Sequence, residues 1–124
     1  MKKHDIQERA FEFACRIVSL HKSLVRSGAT ERTLARQLLR SGTSVGALLE
    51  EAHAAESRAD FVSKCSVSFK EARESKYWLR LLASCDSALS TRLESLIAEA
   101  HELISILTTI LKKARGANQT ANSA

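Results

Sequence analysis

The sequence predicts an all-α protein, an antiparallel up-down-up-down four-helix bundle. Its 124 residues contain no proline, the residue that most strongly breaks a helix. Only four glycines occur, too few for the many turns of an all-β protein. Apolar residues recur at alternating steps of four and three in four segments, which is the heptad spacing of packed helices. Short connections between these segments make neighbouring helices antiparallel.

The first helix is predicted from about Ile6 to Ser27. Asp5 is a suitable N-cap and Gly28 a suitable C-terminal stop. The heptad seam consists of Ile6, Ala10, Phe13, Ile17, Leu20 and Leu24. A second apolar row follows beside it, formed by Phe11, Val18 and Val25. The two rows together predict a wide buried stripe.

The second helix is predicted to begin near Thr30, a candidate N-cap, and it contains the segment "RSGTSVG". Its seam consists of Leu34, Leu38, Ser41, Val45, Leu48 and Ala52. The glycines could suggest a phosphate-binding loop, but no apolar strand precedes them and no Gly-Lys-Ser/Thr ending follows. Gly42 and Gly46 lie four residues apart and hence on one helix face. We therefore expect a neighbouring helix to approach closely there; the alternative is that the glycines only kink or weaken the helix.

The third helix is predicted to start at Ser57, with Asp60 at the N3 position of a capping box. Its core stripe contains Phe61, Cys65, Ala72 and Leu79, with Phe69 and Ala83 at the edge. Val67, Trp78 and Leu81 point away from that stripe. This second apolar face predicts a homo-oligomer interface. The alternative is that Trp78 only covers an edge of the bundle.

The fourth helix is predicted to follow Asp86, its candidate N-cap, and to end at Gly116. Its seam runs without a miss through Leu89, Leu93, Leu96, Ala100, Leu103, Leu107, Ile110 and Ala114, and Ile97, Ile104 and Leu111 widen it. The domain prediction is therefore a bundle over residues 1–115. The small, polar residues 116–124 are expected to form a disordered tail.

The charge balance permits a nucleic-acid partner without requiring one. The formal net charge is +5 and the sequence pI is about 9.4. A solvated basic surface is the alternative reading.

The N-terminus does not resemble a signal peptide, and no segment is apolar enough to span a membrane. Cys15, Cys65 and Cys85 match neither a disulfide framework nor a zinc site, which favours a cytoplasmic location.

No catalytic or metal-binding constellation is apparent, so we expect a protein that is not an enzyme and has no cofactor. Di-iron bundles use two Glu-x-x-His motifs. This chain has one such match, from Glu50 to His53, and His101 lacks a glutamate three residues before it. The cysteines lack an adjacent ordered base, which nucleophilic catalysis would need.

Two basic rows are the candidate binding residues. On the second helix Arg32, Arg36 and Arg40 recur every four residues, and on the third helix Arg73, Lys76 and Arg80 cluster around Tyr77. Such rows suit contacts with phosphates and little base specificity. The predicted nucleic-acid contacts are Arg32, Arg36, Lys76 and Arg80. Structural ion pairs are expected to involve Arg40, Arg73, Glu50, Glu71 and Glu74.

The segment "LARQLLRSGTSVGALLEEAHAAESRADFVSKCSVSFKEARESKYWLRLL" resembles the four-helix-bundle family known from 23S rRNA intervening-sequence proteins. The features that carry this resemblance are Arg40-Ser41, Ser44-Val45-Gly46, Glu50-Glu51-Ala52, Ser57 with Asp60-Phe61, and the run from Lys70 to Leu79. The accessory variability determinants of diversity-generating retroelements are similar to the same bundle. One departure is Leu48, where the family often has asparagine.

The resemblance implies a ring-shaped homo-oligomer, a pentamer, without enzymatic activity. Retroelement relatives bind nucleic acid and a reverse transcriptase through basic surfaces, so RNA, DNA and, by analogy, a reverse transcriptase are the implied partners. The leading hypothesis is an oligomeric bundle that binds nucleic-acid backbone. The second is a structural or protein-interaction module whose basic surface is incidental.

Overall fold

The computed structural model is an all-α four-helix bundle. It describes residues 5–28 and 32–123, with side chains described up to residue 116. The helices are α1 (Ile6–Ser27), α2 (Arg32–His53), α3 (Arg58–Cys85) and α4 (Ser87–Ser123). Extensive interfaces join α1 to α2, α2 to α3 and α3 to α4, whereas α1 meets α4 at few positions. The predicted fold class is confirmed.

Hydrogen bonds between α2 and α3 show that these helices run in opposite directions. The Ser75 hydroxyl lies 3.0 Å from the Ser41 hydroxyl. The Ser68 hydroxyl, two turns earlier on α3, donates to the Val45 carbonyl, which lies one turn later on α2 (2.9 Å). Pairs that advance on one helix and retreat on the other are the mark of an antiparallel neighbour.

Four helix ends have the caps that the sequence predicts. Asp5 caps α1 through its side chain, and Gly28 closes it in the left-handed conformation with φ 67°. The Ser57 hydroxyl accepts the Asp60 amide at 3.0 Å and starts α3. The Asp86 carboxylate accepts a backbone amide of the first turn of α4 at 2.9 Å. These contacts satisfy amides and carbonyls that have no partner inside the helix.

The predicted stop at Gly116 is wrong. The backbone of α4 continues through Gly116 to Ser123, and Gly28 is the one described glycine with positive φ. A glycine stops a helix when it takes the left-handed conformation, and Gly116 does not take it. The disorder expected for residues 116–124 stays a prediction, and the predicted cap Thr30 lies outside the described residues.

The core follows the predicted seams with a few differences. On α1 the predicted seam from Ala10 to Leu24 is buried. On α2 Leu38 is buried as predicted, but near the end of the helix Leu49 is buried in place of Leu48, which is half-buried. On α3 the buried positions are Cys65, Ser68, Ala72, Ser75, Leu79 and Leu82. The buried serines had no place in an apolar pattern, but each has a hydrogen bond.

The wide stripe predicted for α1 is wrong on its outer side. Phe11 is 61% exposed and Val25 is 47% exposed. Val18, between them, is half-buried. Because α1 packs closely on α2 and only sparsely on α4, no described helix covers the two exposed residues. The seam between α1 and α4 is instead bridged by polar side chains, of which Arg9 and Glu99 form a two-bonded ion pair at 2.7 and 3.0 Å.

Both glycines of "RSGTSVG" lie where α2 approaches α1. A Cβ atom built on Gly42 would lie 2.8 Å from Cγ1 of Ile17, which is too short for a contact between carbon atoms. A Cβ atom on Gly46 would lie 3.4 Å from the backbone of Ala10, an ordinary contact. The helix is continuous across the segment, so the glycines serve close packing, most tightly at Gly42.

Candidate nucleic-acid interface

A pocket rich in cations lies between α3 and α4. Its volume is about 260 Å³, and its lining residues are Arg73, Lys76, Tyr77 and Arg80 of α3 with His101 and Ile104 of α4. The α3 members lie three or four residues apart or adjacent, so the helix presents them on one flank. Among the described residues, no carboxylate lines this space. We call it the α3–α4 cationic pocket.

One contact in the pocket joins the two helices directly. The Lys76 Nζ lies 3.1 Å from the His101 Nδ1. An ammonium group only donates, so Nδ1 accepts and the neutral ring carries its hydrogen on Nε2. The lysine keeps two further N–H groups for another acceptor.

The two arginines of the pocket lack acidic partners in the described part of the chain. The Arg73 guanidinium lies 5.8 Å from the centre of the Phe69 ring. A cation–π contact of this kind holds the group in place without using its in-plane N–H donors. The predicted ion pair of Arg73 is therefore wrong: its glutamate neighbours are engaged by Arg40. Arg80, predicted as a nucleic-acid contact, forms no ion pair among the described residues either.

Glu99, a carboxylate two residues before His101 on α4, is directed toward α1. Glu99 binds Arg9 of α1, at 2.7 Å for the shorter contact. The pKa of Arg9 is raised by its hydrogen bond with Glu99 and by the charges of Glu99 and Glu102, although burial acts against them. Because Glu99 is held by Arg9 of α1, it is not available to the cations of the pocket.

Arg40 and two glutamates form a structural network between α2 and α3. Arg40 contacts Glu71 at 3.1 Å and also pairs with Glu74. Burial lowers the pKa of Arg40, but the charges and hydrogen bonds of both glutamates outweigh that effect and raise it. Glu74 also accepts the Trp78 indole N–H at 3.0 Å. This network occupies Arg40, which is consequently a poor candidate for binding phosphate.

The role of Glu50 differs from the predicted one, a structural ion pair. Its carboxylate accepts a hydrogen bond from the Gln7 side-chain amide at 3.2 Å. Within the described residues it forms no ion pair, so the predicted pairing is wrong. The reason is the register of α1 against α2, which places a neutral amide opposite this carboxylate.

Arg32 and Arg36, the other predicted contacts, lie away from the pocket. Both are exposed in the first turns of α2, and α2 does not contact α4 in the described residues. Lys76 and Arg80 thus share the α3–α4 cationic pocket, whereas Arg32 and Arg36 form a separate basic row. The sequence could not show this division because both rows have helical spacing.

The predicted oligomer face is only partly exposed. Val67 is 39% exposed, while Trp78 and Leu81 are half-buried. Trp78 packs against the core, and its ring meets Tyr77 edge-on, with centroids 5.1 Å apart. Trp78 therefore covers an edge of the bundle, the alternative that the sequence left open.

The cysteines and acidic residues do not gather into a metal site in the part of the chain that is described. No group of three or more His, Cys, Asp or Glu side chains there could hold a metal ion. Cys65 is buried, which raises the pKa of its thiol, and Cys15 and Cys85 are exposed. None of the described helices has the length and apolar character to cross a membrane.

Sequence reasoning missed three of the pocket residues or gave them another role: His101, Arg73 and Ile104, the last assigned to the apolar seam of α4. The sequence offers His101 only as a possible metal ligand, and it lies 25 residues from Lys76. Aligning the α3 and α4 seams in antiparallel register would have placed it opposite Lys76. Arg73 has glutamates beside it in the sequence, which suggested pairing, but these lie on the flank that faces α2.

Comparisons with known proteins agree on one family. The model of the 23S rRNA-intervening sequence proteins matches residues 2–109. A crystal structure from Bacteroides thetaiotaomicron, described as a protein of unknown function from the S23 ribosomal protein family, is 40% identical. The similarity covers 86% of this chain and 98% of that one, with a TM-score of 0.81. Comparison with curated proteins gave no match.

Proposed function

The chain belongs to the family of 23S rRNA-intervening sequence proteins, and from this premise we propose that it is a non-enzymatic, oligomeric, cytoplasmic bundle that binds nucleic-acid backbone. The observation that carries the proposal is the α3–α4 cationic pocket. Three cationic side chains converge there with a histidine, and no carboxylate from the described part of the chain lines the space.

Phosphate oxygens are suitable acceptors for this set of donors. Guanidinium groups bind phosphate through paired N–H donors, and an ammonium adds a mobile point charge. Contacts of this kind position a strand but do not read base edges, so binding tolerates changes of sequence. RNA and DNA are both suitable ligands on this basis.

A homo-oligomer would repeat the pocket and the basic row of Arg32 and Arg36 around the assembly. Individually weak phosphate contacts then act together, because a strand held at one site meets the next at high effective concentration. We propose a ring of subunits, pentameric as the family resemblance implies, as the binding form.

Fluorescence anisotropy with random single- and double-stranded oligonucleotides tests this function. We expect binding at low salt that weakens steeply as salt rises, since each neutralised phosphate releases condensed counterions. Oligonucleotides of unrelated sequence should bind with similar affinity. Failure of the wild type to bind any of them at low salt would refute the proposal.

A second candidate function is a protein-interaction module, and exposed apolar side chains favour it. Phe11 is 61% exposed and Tyr77 is 56% exposed. By the family resemblance the partner would be a reverse transcriptase. Co-purification of a tagged chain with a reverse transcriptase encoded next to its gene, without detectable oligonucleotide binding, would favour this candidate over the first.

A further inference from the structure

We propose that the α3–α4 cationic pocket binds the phosphomonoester group of a nucleotide, either at the end of a strand or in a free mononucleotide. The inference rests on the proposed function for its ligand class. Backbone binding does not specify which part of a nucleic-acid strand the pocket holds, and we assign the terminal phosphate to it. A terminal phosphate differs from an internal phosphodiester in charge and in having a single ester arm.

The charge of the pocket fits a monoester better than a diester. Arg73, Lys76 and Arg80 place three positive charges around about 260 Å³, and none of the carboxylates that the structure describes lines the space. An internal phosphodiester carries one negative charge, whereas a phosphomonoester carries about 1.5 to 2 at neutral pH. The more highly charged group therefore compensates more of the repulsion among the cations.

The donors of the pocket also suit a group with three terminal oxygens. The Lys76 ammonium uses one N–H toward His101 Nδ1, at 3.1 Å, and keeps two. The tautomer set by that contact leaves Nε2–H of His101 as a donor. Arg73 rests over the Phe69 ring, and its in-plane N–H groups remain available. A diester offers two unesterified oxygens to these donors, and a monoester offers three.

The size of the pocket and the position of Tyr77 suggest how the rest of the nucleotide lies. Pockets that enclose a whole small-molecule ligand span roughly 300–1,000 Å³, so a space of about 260 Å³ takes the phosphate and leaves the base outside. Tyr77 lines the pocket and is 56% exposed. Its edge contact with Trp78 orients the ring, and a base can stack on an aromatic ring of this kind.

Three versions of one fluorescent single strand test the inference: a 5′-hydroxyl, a 5′-phosphate, and a 5′-phosphate capped as its methyl diester. We expect the 5′-phosphate strand to bind about tenfold more tightly than the other two, the effect of one additional charge-assisted hydrogen bond. Arg73→Gln should abolish this preference. Arg58→Gln, on the same helix but about 15 residues away, is the matched control and should retain it.

Competition by a free nucleoside 5′-monophosphate distinguishes the two sources of the group. Displacement of the strand by the mononucleotide, without any preference among the three strands, would assign the pocket to free nucleotides. Equal binding of the three strands with no competition would overturn the inference and leave backbone binding intact. Binding of the mononucleotide when no strand binds would support the pocket and refute the proposed function.

Discussion

At the scale of single residues, the two glycines of α2 differ in the space around them, although they lie on one helix face. Gly42 has no room for a methyl group, because Ile17 would lie 2.8 Å from it. Gly46 has room, since its nearest neighbour would be 3.4 Å away. We expect Gly42→Ala to lower the free energy of unfolding by about 1–3 kcal/mol through overpacking. Gly46→Ala should raise it by up to about 1 kcal/mol, the difference in helix propensity.

Urea denaturation of the two variants measures these changes, and Gly46→Leu is the natural control. Leucine at position 46 adds three carbon atoms to a Cβ that already lies 3.4 Å from the Ala10 backbone, so it should destabilise where alanine does not. Stabilisation by Gly42→Ala, or by Gly46→Leu, would contradict the close approach of α1 and α2.

The three cysteines should differ in reactivity. Cys15 and Cys85 are exposed and Cys65 is buried. Burial raises the pKa of the Cys65 thiol, so at neutral pH less of it is the reactive thiolate. Labelling with a thiol reagent at pH 7 should modify two sites rapidly and the third only after denaturant is added. Rapid modification of all three in the native protein would contradict the burial of Cys65.

At the scale of helices, the interface of α2 with α3 depends on small polar residues in apolar heptad positions. Ser75 is fully buried opposite Ser41 at 3.0 Å, and Ser68 donates to the Val45 carbonyl. Replacing Ser75 by leucine would complete the apolar pattern, yet we expect it to destabilise the protein by about 1–3 kcal/mol. The closely packed helix α2 already occupies the space that a leucine side chain would need, and the substitution also removes the hydrogen bond of the Ser75 hydroxyl.

Thermal melts of Ser75→Leu and of Ser75→Ala measure that cost and separate its two sources. The alanine variant loses only the hydroxyl and should be less affected than the leucine variant. A higher melting temperature for Ser75→Leu would mean that the interface has space, and would contradict the packing described here.

The helices themselves were predictable because their signals are local. The caps Asp5, Ser57 and Asp86 and the stop at Gly28 lie within a few residues of the groups that they bind. The seams were predictable where an apolar side chain marks each core position. Ser68 was missed because the buried carbonyl that it binds belongs to another helix. Ser75 was missed because its hydroxyl has two partners that an apolar pattern does not show, the Glu71 carbonyl one turn earlier on α3 (2.9 Å) and the Ser41 hydroxyl on α2 (3.0 Å). Gly116 was misassigned because a glycine ends a helix only if its backbone turns left-handed.

At the scale of the whole molecule, assembly remains a prediction that light scattering can test. One chain has a mass of 13.7 kDa, and a pentamer would have five times that mass. Val67 and Leu81 lie on the outer side of α3, so we expect Val67→Glu with Leu81→Glu to dissociate the oligomer. Trp78 is less suitable for this test because its loss would also damage the core.

The matched control for assembly is Phe11→Glu with Val25→Glu on α1. Both of these residues are exposed and apolar, so the substitutions change charge and apolar area in the same way on another face. A monomeric wild type would end the oligomer hypothesis. Dissociation by the α1 variant, with the α3 variant unchanged, would move the interface to α1.

The binding site was predictable only in part, because it depends on which helices are neighbours. Lys76, Arg80 and Tyr77 could be selected from their spacing on α3. The contribution of His101 depends on the register of α4 against α3. Arg73 has no glutamate partner among the described residues because Arg40 pairs with both Glu71 and Glu74. Arg32 and Arg36 have the same spacing as the pocket residues, so their separation from the pocket emerges only from the packing of α2.

The salt dependence of binding tests most directly whether the α3–α4 cationic pocket holds nucleic-acid phosphates. For a single strand, log affinity falls with log salt by about 0.7 per phosphate contact. Lys76→Glu with Arg80→Glu should therefore weaken binding and reduce the slope by at least about 0.7, the value for the one phosphate that the pocket takes. Lys22→Glu with Arg58→Glu, exposed positions with the same change of charge, should leave the slope nearly unchanged. Equal slopes for wild type and both variants would contradict the account.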